Sequence, residues 1–239
     1  MDGAWQRVAA GRDNWELAIF DCDGVLVDSE TIAHRSLAAA LEELGLSVTL
    51  DEAFALFMGN TLAQSVAIIE ERLGRPLPGD FFPAWRERLY ATFREAPVRS
   101  VAGVEQVLDA LTCPICVVSN GPIRKMETTL GVTGLLARFE GRIFSPDLGL
   151  PGKPSPDLFL AAARALGADP SRTVVIEDSP KGVAGARAAG MTVLGFTGAP
   201  HTDAAELTAA GASALFSDMR ELPALLERAA PRSDDPDVG

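Results

Sequence analysis

Four apolar runs punctuate the chain, and each ends abruptly on polar residues. Leu17 to Phe20 runs into Asp21-Cys22-Asp23-Gly24, and Ile115 to Val118 into Ser119-Asn120-Gly121. Thr173 to Ile176 meets Glu177-Asp178-Ser179, and Met191 to Phe196 reaches Thr197 and Gly198. Runs this short, with little polar alternation, predict strands buried on both faces, as in a parallel sheet. The segments between them have a helical period. Pro122 to Leu130, Pro156 to Leu166 and Pro180 to Ala189 each open on a proline, expected at the first helical position, where its missing N–H costs nothing. Strands alternating with helices predict an α/β fold, a Rossmann-like doubly wound parallel sheet.

One interval breaks the alternation. A strand–helix–strand crossover takes about 30 residues, yet the first strand ends at Asp21 and the second opens near Ile115. A helix over Val104 to Leu111 can serve as the crossover, which leaves 31–97 in surplus. That surplus is helical too: Leu62, Val66, Ile69 and Leu73 share a face, Phe82, Trp85, Leu89 and Phe93 share another, and Ile32 to Leu44 supplies a third helix. The expected organisation is an α/β core of 15–30 and 98–230 with a small inserted α-helical cap domain, 31–97, above the end of the first strand. Asp28 to Glu30 and Pro97 to Ser100 would be its hinges, and 1–14 and 231–239 flexible termini.

Composition narrows the partners. A net charge of −12 argues against nucleic acid and anionic membranes. No apolar stretch approaches the length of a membrane span, and the polar opening Met1 to Glu16 holds no signal-peptide core. A cytoplasmic protein is expected, a monomer with a dimer left open. The three cysteines suit a reducing compartment, and Cys113-x-x-Cys116 has no second pair to complete a zinc site. Both are expected to be structural.

The strand ends carry the candidate chemistry. Ligands of open α/β sheets bind just beyond the carboxyl ends of the strands, where Asp21 and Asp23 would stand. Gly24 lets the chain turn away at once. If the strands are parallel, Ser119, Asn120, Glu177 and Asp178 join them on one edge, with Lys153 from the loop Gly152 to Asp157. Four carboxylates there would repel by about 4 kcal/mol per close pair at a moderate dielectric. A divalent, oxygen-seeking ion such as Mg²⁺ resolves this. A hydroxyl, one lysine and the free amides of a helix opening at Gly121-Pro122 suit a phosphate group. The set therefore suits phosphoryl transfer, which needs positioning and charge neutralisation. Either a metal-bound water attacks, or Asp21 does, giving an aspartyl-phosphate. Asp23 could then protonate the leaving oxygen and later deprotonate water.

In order and spacing, Asp21-x-Asp23-Gly-Val-Leu-x-Asp28, Ser119, Lys153 and Glu177-Asp178 resemble the four motifs of the haloacid dehalogenase superfamily, over about 17–230. The place of the helical insert resembles its β-phosphoglucomutase-like branch. The resemblance implies that Asp21 is the nucleophile and Asp23 the general acid/base. It implies that Asp21, the Asp23 carbonyl and Asp178 hold Mg²⁺, with Glu177 in the outer shell. Ser119 and Lys153 would bind the phosphoryl group, assisted by the backbone at Asn120 and Gly121.

Asp23 separates this chain from relatives that cleave carbon–halogen bonds, whose leaving group needs no proton. Phosphonoacetaldehyde hydrolases need a Schiff-base lysine in the cap, whereas Lys125, Lys153 and Lys181 all lie outside the insert. Sugar-phosphate mutases carry a basic residue in the cap loop and a histidine on the first cap helix. Here Phe57 to Leu62 is uncharged, and the aligned helix position is Ala33, with His34 one step away. A phosphatase is therefore expected, with the mutase as its alternative. An alternative of another class is a non-enzymatic phospho-receiver, against which Asp23 argues by hastening loss of the phosphate. Val117 to Pro122 with Lys125-Met126 resembles bacterial phosphatases of the 6-phosphogluconate type. That implies a small-molecule substrate, a phosphorylated sugar or sugar acid. Gly59, Asn60 and Thr61 are the expected substrate contacts, and Arg72, Arg75, Arg86, Arg88 and Arg94 candidates for a substrate carboxylate.

Overall fold

The computed structural model describes residues 15–57, 62–95, 98–199 and 202–231. The chain divides at Val27/Asp28 and Arg99/Ser100 into two units, the second being the inserted segment. It opens with β1 (Leu17–Phe20) and β2 (Val27–Asp28), then α1 (Glu30–Glu43), α2 (Leu50–Phe57), α3 (Leu62–Leu73) and α4 (Phe81–Glu95). β3 (Arg99–Ser100) pairs with β2, and the first unit resumes with α5 (Val104–Ala110), β4 (Ile115–Val118), α6 (Ile123–Val132) and β5 (Ile143–Phe144). It continues through α7 (Asp157–Leu166), β6 (Thr173–Glu177), α8 (Pro180–Ala188) and β7 (Thr192–Phe196). The described chain ends with α9 (Ala204–Ala210), β8 (Ala214–Phe216) and α10 (Leu222–Ala229).

The first unit is a doubly wound, Rossmann-like fold. Its six-stranded sheet runs β5-β4-β1-β6-β7-β8, and every described ladder is parallel. β1 lies between β4 and β6, with Phe20 level with Val117 on one side and Ile176 on the other. All four of its residues are fully buried, which is why the run reads as continuously apolar. Alternate residues face one layer: Leu17, Ile19, Cys116, Val118 and Val175 pack with Leu158 and Phe159 of α7 and Val183 of α8. Each such side chain contributes roughly 1.5–3 kcal/mol on burial. Cys116 is part of this packing, Cys22 is also buried, and desolvation pushes both thiols above the ordinary range. Trp15 is anchored by its indole N–H, which donates to the Leu226 carbonyl of α10 at 3.0 Å.

The second unit packs α1 to α4 around Leu37, Leu41, Phe57, Ile69, Phe81 and Phe82. Two of the arginines considered for a substrate carboxylate are engaged inside this unit. Arg88 pairs with Glu43 at 2.8 Å, and Arg75 donates to the Leu44 carbonyl at 2.9 Å. His34 stacks on Phe54 with ring centroids 4.1 Å apart.

Two details differ from the expectation. Pro122 and Pro156 are N-caps, and only Pro180 is a first helical residue. A cap asks of proline only the φ it already has. The sheet also carries the edge strands β5 and β8, of two and three residues, too short to leave a pattern. No described helix is long and apolar enough to cross a membrane. Gly59, Asn60, Thr61, the hinge residue Pro97 and most of both expected flexible termini lie outside the described residues.

Candidate active site

Parallel strands bring their carboxyl ends to one edge, and the ladders fix where each strand-end residue stands. The Asp21 N–H donates to the Ile176 carbonyl of β6 at 3.0 Å, and the Ser119 N–H to the Phe144 carbonyl of β5 at 3.1 Å. Asp21 is thus level with Glu177, one residue beyond the Phe20–Ile176 pair. Lys153 arrives from the loop before α7. Its ammonium donates to Asp21 Oδ1 at 2.7 Å and to Glu177 Oε1, and it lies 5.5 Å from the centroid of the Phe159 ring. Glu177 is fully buried, and its second oxygen accepts from the Ser179 N–H at 3.1 Å and hydroxyl at 2.9 Å. Both its oxygens are therefore held by the protein.

Carboxylate oxygens of Asp21, Glu177 and Asp178 lie within 4.8 Å of one another. Asp23 stands apart from this group, its Oδ2 2.8 Å from Lys125 Nζ. Four carboxylates face two ammoniums here, so acids outnumber cations two to one. Its donors are all oxygen, a set that fits one hard divalent cation. The same crowding acts on the Asp21 carboxyl. Burial first, then Glu177 and Asp23, push the Asp21 carboxyl up to about 7 against the opposing pull of Lys153. Burial alone would lower Lys153, but Asp21 and Glu177 hold it above the ordinary lysine range. This ammonium stays charged.

The expected phosphate cradle is only partly as foreseen. The Ser119 hydroxyl accepts from the Gly121 N–H at 3.1 Å, which leaves its O–H to donate, as a phosphoryl oxygen requires. The Gly121 carbonyl accepts from the Ser145 hydroxyl at 2.7 Å. The opening of α6 is not a row of free amides, because the Ile123 N–H donates to Asp147 Oδ2 at 2.8 Å. Asp147 follows β5, a connection invisible in sequence. Asn120, whose backbone is the part expected to assist at the phosphoryl group, uses its side chain to clamp the backbone of Lys153. Its amide donates to the Lys153 carbonyl at 3.0 Å, and its oxygen accepts from the Lys153 N–H at 2.7 Å. It thereby ties the end of β4 to the loop that delivers the lysine.

Three glycines make room for these groups, of which the sequence pointed only to Gly24. A Cβ on Gly24, whose φ is +80°, would stand 2.0 Å from Asp178 Oδ2. One on Gly152 would meet Asn120 Oδ1 at 2.6 Å. One on Gly182, in the first turn of α8, would lie 2.0 Å from the Glu177 carboxyl. Gly182→Ala must therefore displace Glu177 or the helix and loosen Lys153. We expect a loss of about 1–3 kcal/mol, the usual cost of overpacking, read by urea denaturation, with activity falling at least about tenfold. A variant with native stability and rate would show that the Glu177 position is immaterial.

Residues 15–190 match the haloacid dehalogenase-like hydrolase family. A 6-phosphogluconate phosphatase from Escherichia coli (strain K12) is 32% identical over 186 residues, covering 78% of this chain and 84% of that protein. Among solved structures, a conserved haloacid dehalogenase-like protein from Agrobacterium tumefaciens is 40% identical with a TM-score of 0.79, covering 90% of this chain and 98% of that one. A haloacid dehalogenase family hydrolase from Deinococcus radiodurans, solved with bound phosphate and sodium, is 34% identical with a TM-score of 0.76, covering 90% and 96%.

Proposed function

The chain belongs to the haloacid dehalogenase-like hydrolases, and on that footing we propose a Mg²⁺-dependent phosphatase that acts through an aspartyl-phosphate on Asp21. Its substrate is a small phosphorylated metabolite, a sugar phosphate or phosphorylated sugar acid. The observation that carries this reading is the buried triad Asp21–Lys153–Glu177 beside Asp178. One carboxylate is held in a single orientation by a permanent cation, at the edge where a fold of this class takes ligands. The relative named for 6-phosphogluconate and the Deinococcus structure with bound phosphate support the substrate class.

Asp21 attacks phosphorus while Lys153 and the Ser119 hydroxyl neutralise charge on the transferring oxygens. Asp23 gives a proton to the leaving oxygen, then takes one from the water that hydrolyses the intermediate. Mg²⁺, held by Asp21, Asp178 and the Asp23 carbonyl, would supply further charge neutralisation at the phosphoryl group. Glu177, committed to Lys153 and Ser179, acts on the site through that lysine.

The test is phosphate release from p-nitrophenyl phosphate and from a panel including 6-phosphogluconate and β-glucose 1-phosphate, with and without Mg²⁺. We expect release that requires the ion and favours sugar phosphates or sugar acids. We also expect Mg²⁺ to raise the melting temperature of the wild type and not of Asp178→Asn. Stable phosphorylation by acetyl phosphate without release would identify a receiver and overturn the reading.

A further inference from the structure

Lys125 stands in the first turn of α6, the end of a helix where the macrodipole disfavours a cation. That turn carries no acidic residue of its own, and the acid at this end, Asp147, accepts from the Ile123 N–H. Its ammonium instead meets Asp23 Oδ2 at 2.8 Å, with side chains only 18% and 13% exposed. A Cβ on Gly121 would lie 3.5 Å from Ser119 Oγ and 3.7 Å from both Asp23 Oδ2 and Lys125 Cδ. The lysine stem, the Asp23 carboxylate and the hydroxyl expected to hold the phosphoryl group thus all border Gly121. The buried ammonium, Lys153, is committed to Asp21 and Glu177. The two lysines thus divide the acids between them: Lys153 serves the nucleophile, and Lys125 serves the group that moves protons.

We propose that Lys125 is a positioning residue that fixes the Asp23 carboxylate as acceptor of the water proton in the second half-reaction. The inference rests on the covalent phosphatase reading. In that step the water oxygen forms a bond to phosphorus, and the bond from phosphorus to the Asp21 oxygen breaks. The water proton passes to Asp23, and Asp21 is regenerated as a carboxylate. Asp23 then gives this proton to the next leaving oxygen. With Oδ2 anchored on Lys125, the carboxylate keeps one orientation through both transfers. Without the anchor it turns, and hydrolysis suffers most, since a water must be aligned with the carboxylate as well as with phosphorus.

The test compares Lys125→Gln, Lys125→Arg and Asp23→Asn by acid quench during steady-state turnover of p-nitrophenyl phosphate and an alkyl phosphate. For Lys125→Gln we expect kcat to fall roughly 10- to 100-fold, part of the 10²–10⁴-fold worth of positioned acid–base groups. The fraction of enzyme carrying phosphoryl on Asp21 should rise several-fold over wild type. With release limiting, kcat should become the same for both substrates. Lys125→Arg should restore most of the rate. A merely structural defect lowers the rate without raising the phosphorylated fraction, and that result would overturn the proposal. If Asp23→Asn accumulates the adduct and Lys125→Gln does not, the inference about Lys125 alone fails. If no variant ever shows an adduct, the covalent reading beneath it fails.

Discussion

Asp21→Asn is expected to lose turnover by on the order of 10⁴-fold or more, because an amide cannot serve as the attacking oxygen nucleophile. The fold should survive the change, since the Asn side-chain oxygen can still accept from Lys153, as Asp21 Oδ1 does at 2.7 Å. A second readout separates chemistry from damage. In the metal-free chain the Asp21 carboxyl is raised from 3.8 to about 7, burial being the first cause. Between those values the folded protein keeps a proton that the unfolded chain releases, so this group makes stability fall as pH rises across that window. Asp21→Asn has no such proton to keep and should show a flatter stability profile, gained most near neutral pH. Chemical denaturation across pH 4–7 with chelator present measures it. A variant with wild-type rate would remove Asp21 from the chemistry.

Lys153→Met should be the most destabilising of the changes considered. It removes the cation paired with Glu177, whose side chain is fully buried, and leaves Asp21 and Asp178 as further negative charge nearby. Stranding one partner of a buried ion pair costs about 3–5 kcal/mol. Ser179 still donates twice to Glu177, so the lower part of that range is the expectation. The urea midpoint without metal should drop accordingly, and activity should vanish with the lost phosphoryl contact. Glu177→Gln should cost less, because the amide keeps an oxygen for Ser179. A Lys153→Met midpoint equal to wild type would mean the pair is not what holds this edge together.

The sheet was legible because β1, β4, β6 and β7 are buried on both faces and so read as unbroken apolar runs. β5 and β8 were not, being edge strands of two and three residues. Asp21, Ser119, Lys153, Glu177 and Asp178 could be named in advance because each sits at a strand end or in a loop next to it. What sequence could not supply was pairing. Nothing in the spacing says that the Asn120 amide turns to the Lys153 backbone, or that Asp147 caps α6. Lys125 was legible only as part of the stretch resembling 6-phosphogluconate-type phosphatases, and its pairing with Asp23 shows only once α6 is in place. Gly182 looks like an ordinary weak helix former, and its reason is a carboxyl group where a methyl would go.

If a phosphoryl group passes through Asp21, chemical capture should trap it there. Wild-type enzyme is mixed with p-nitrophenyl phosphate and Mg²⁺, quenched in acid within the first turnovers, digested and mapped by mass spectrometry. A phosphoryl adduct, labile to hydroxylamine, is expected on the peptide carrying Asp21, present during turnover, absent from Asp21→Asn, and enriched in Asp23→Asn. Rapid phosphate release with no adduct on that peptide, even in Asp23→Asn, would contradict it.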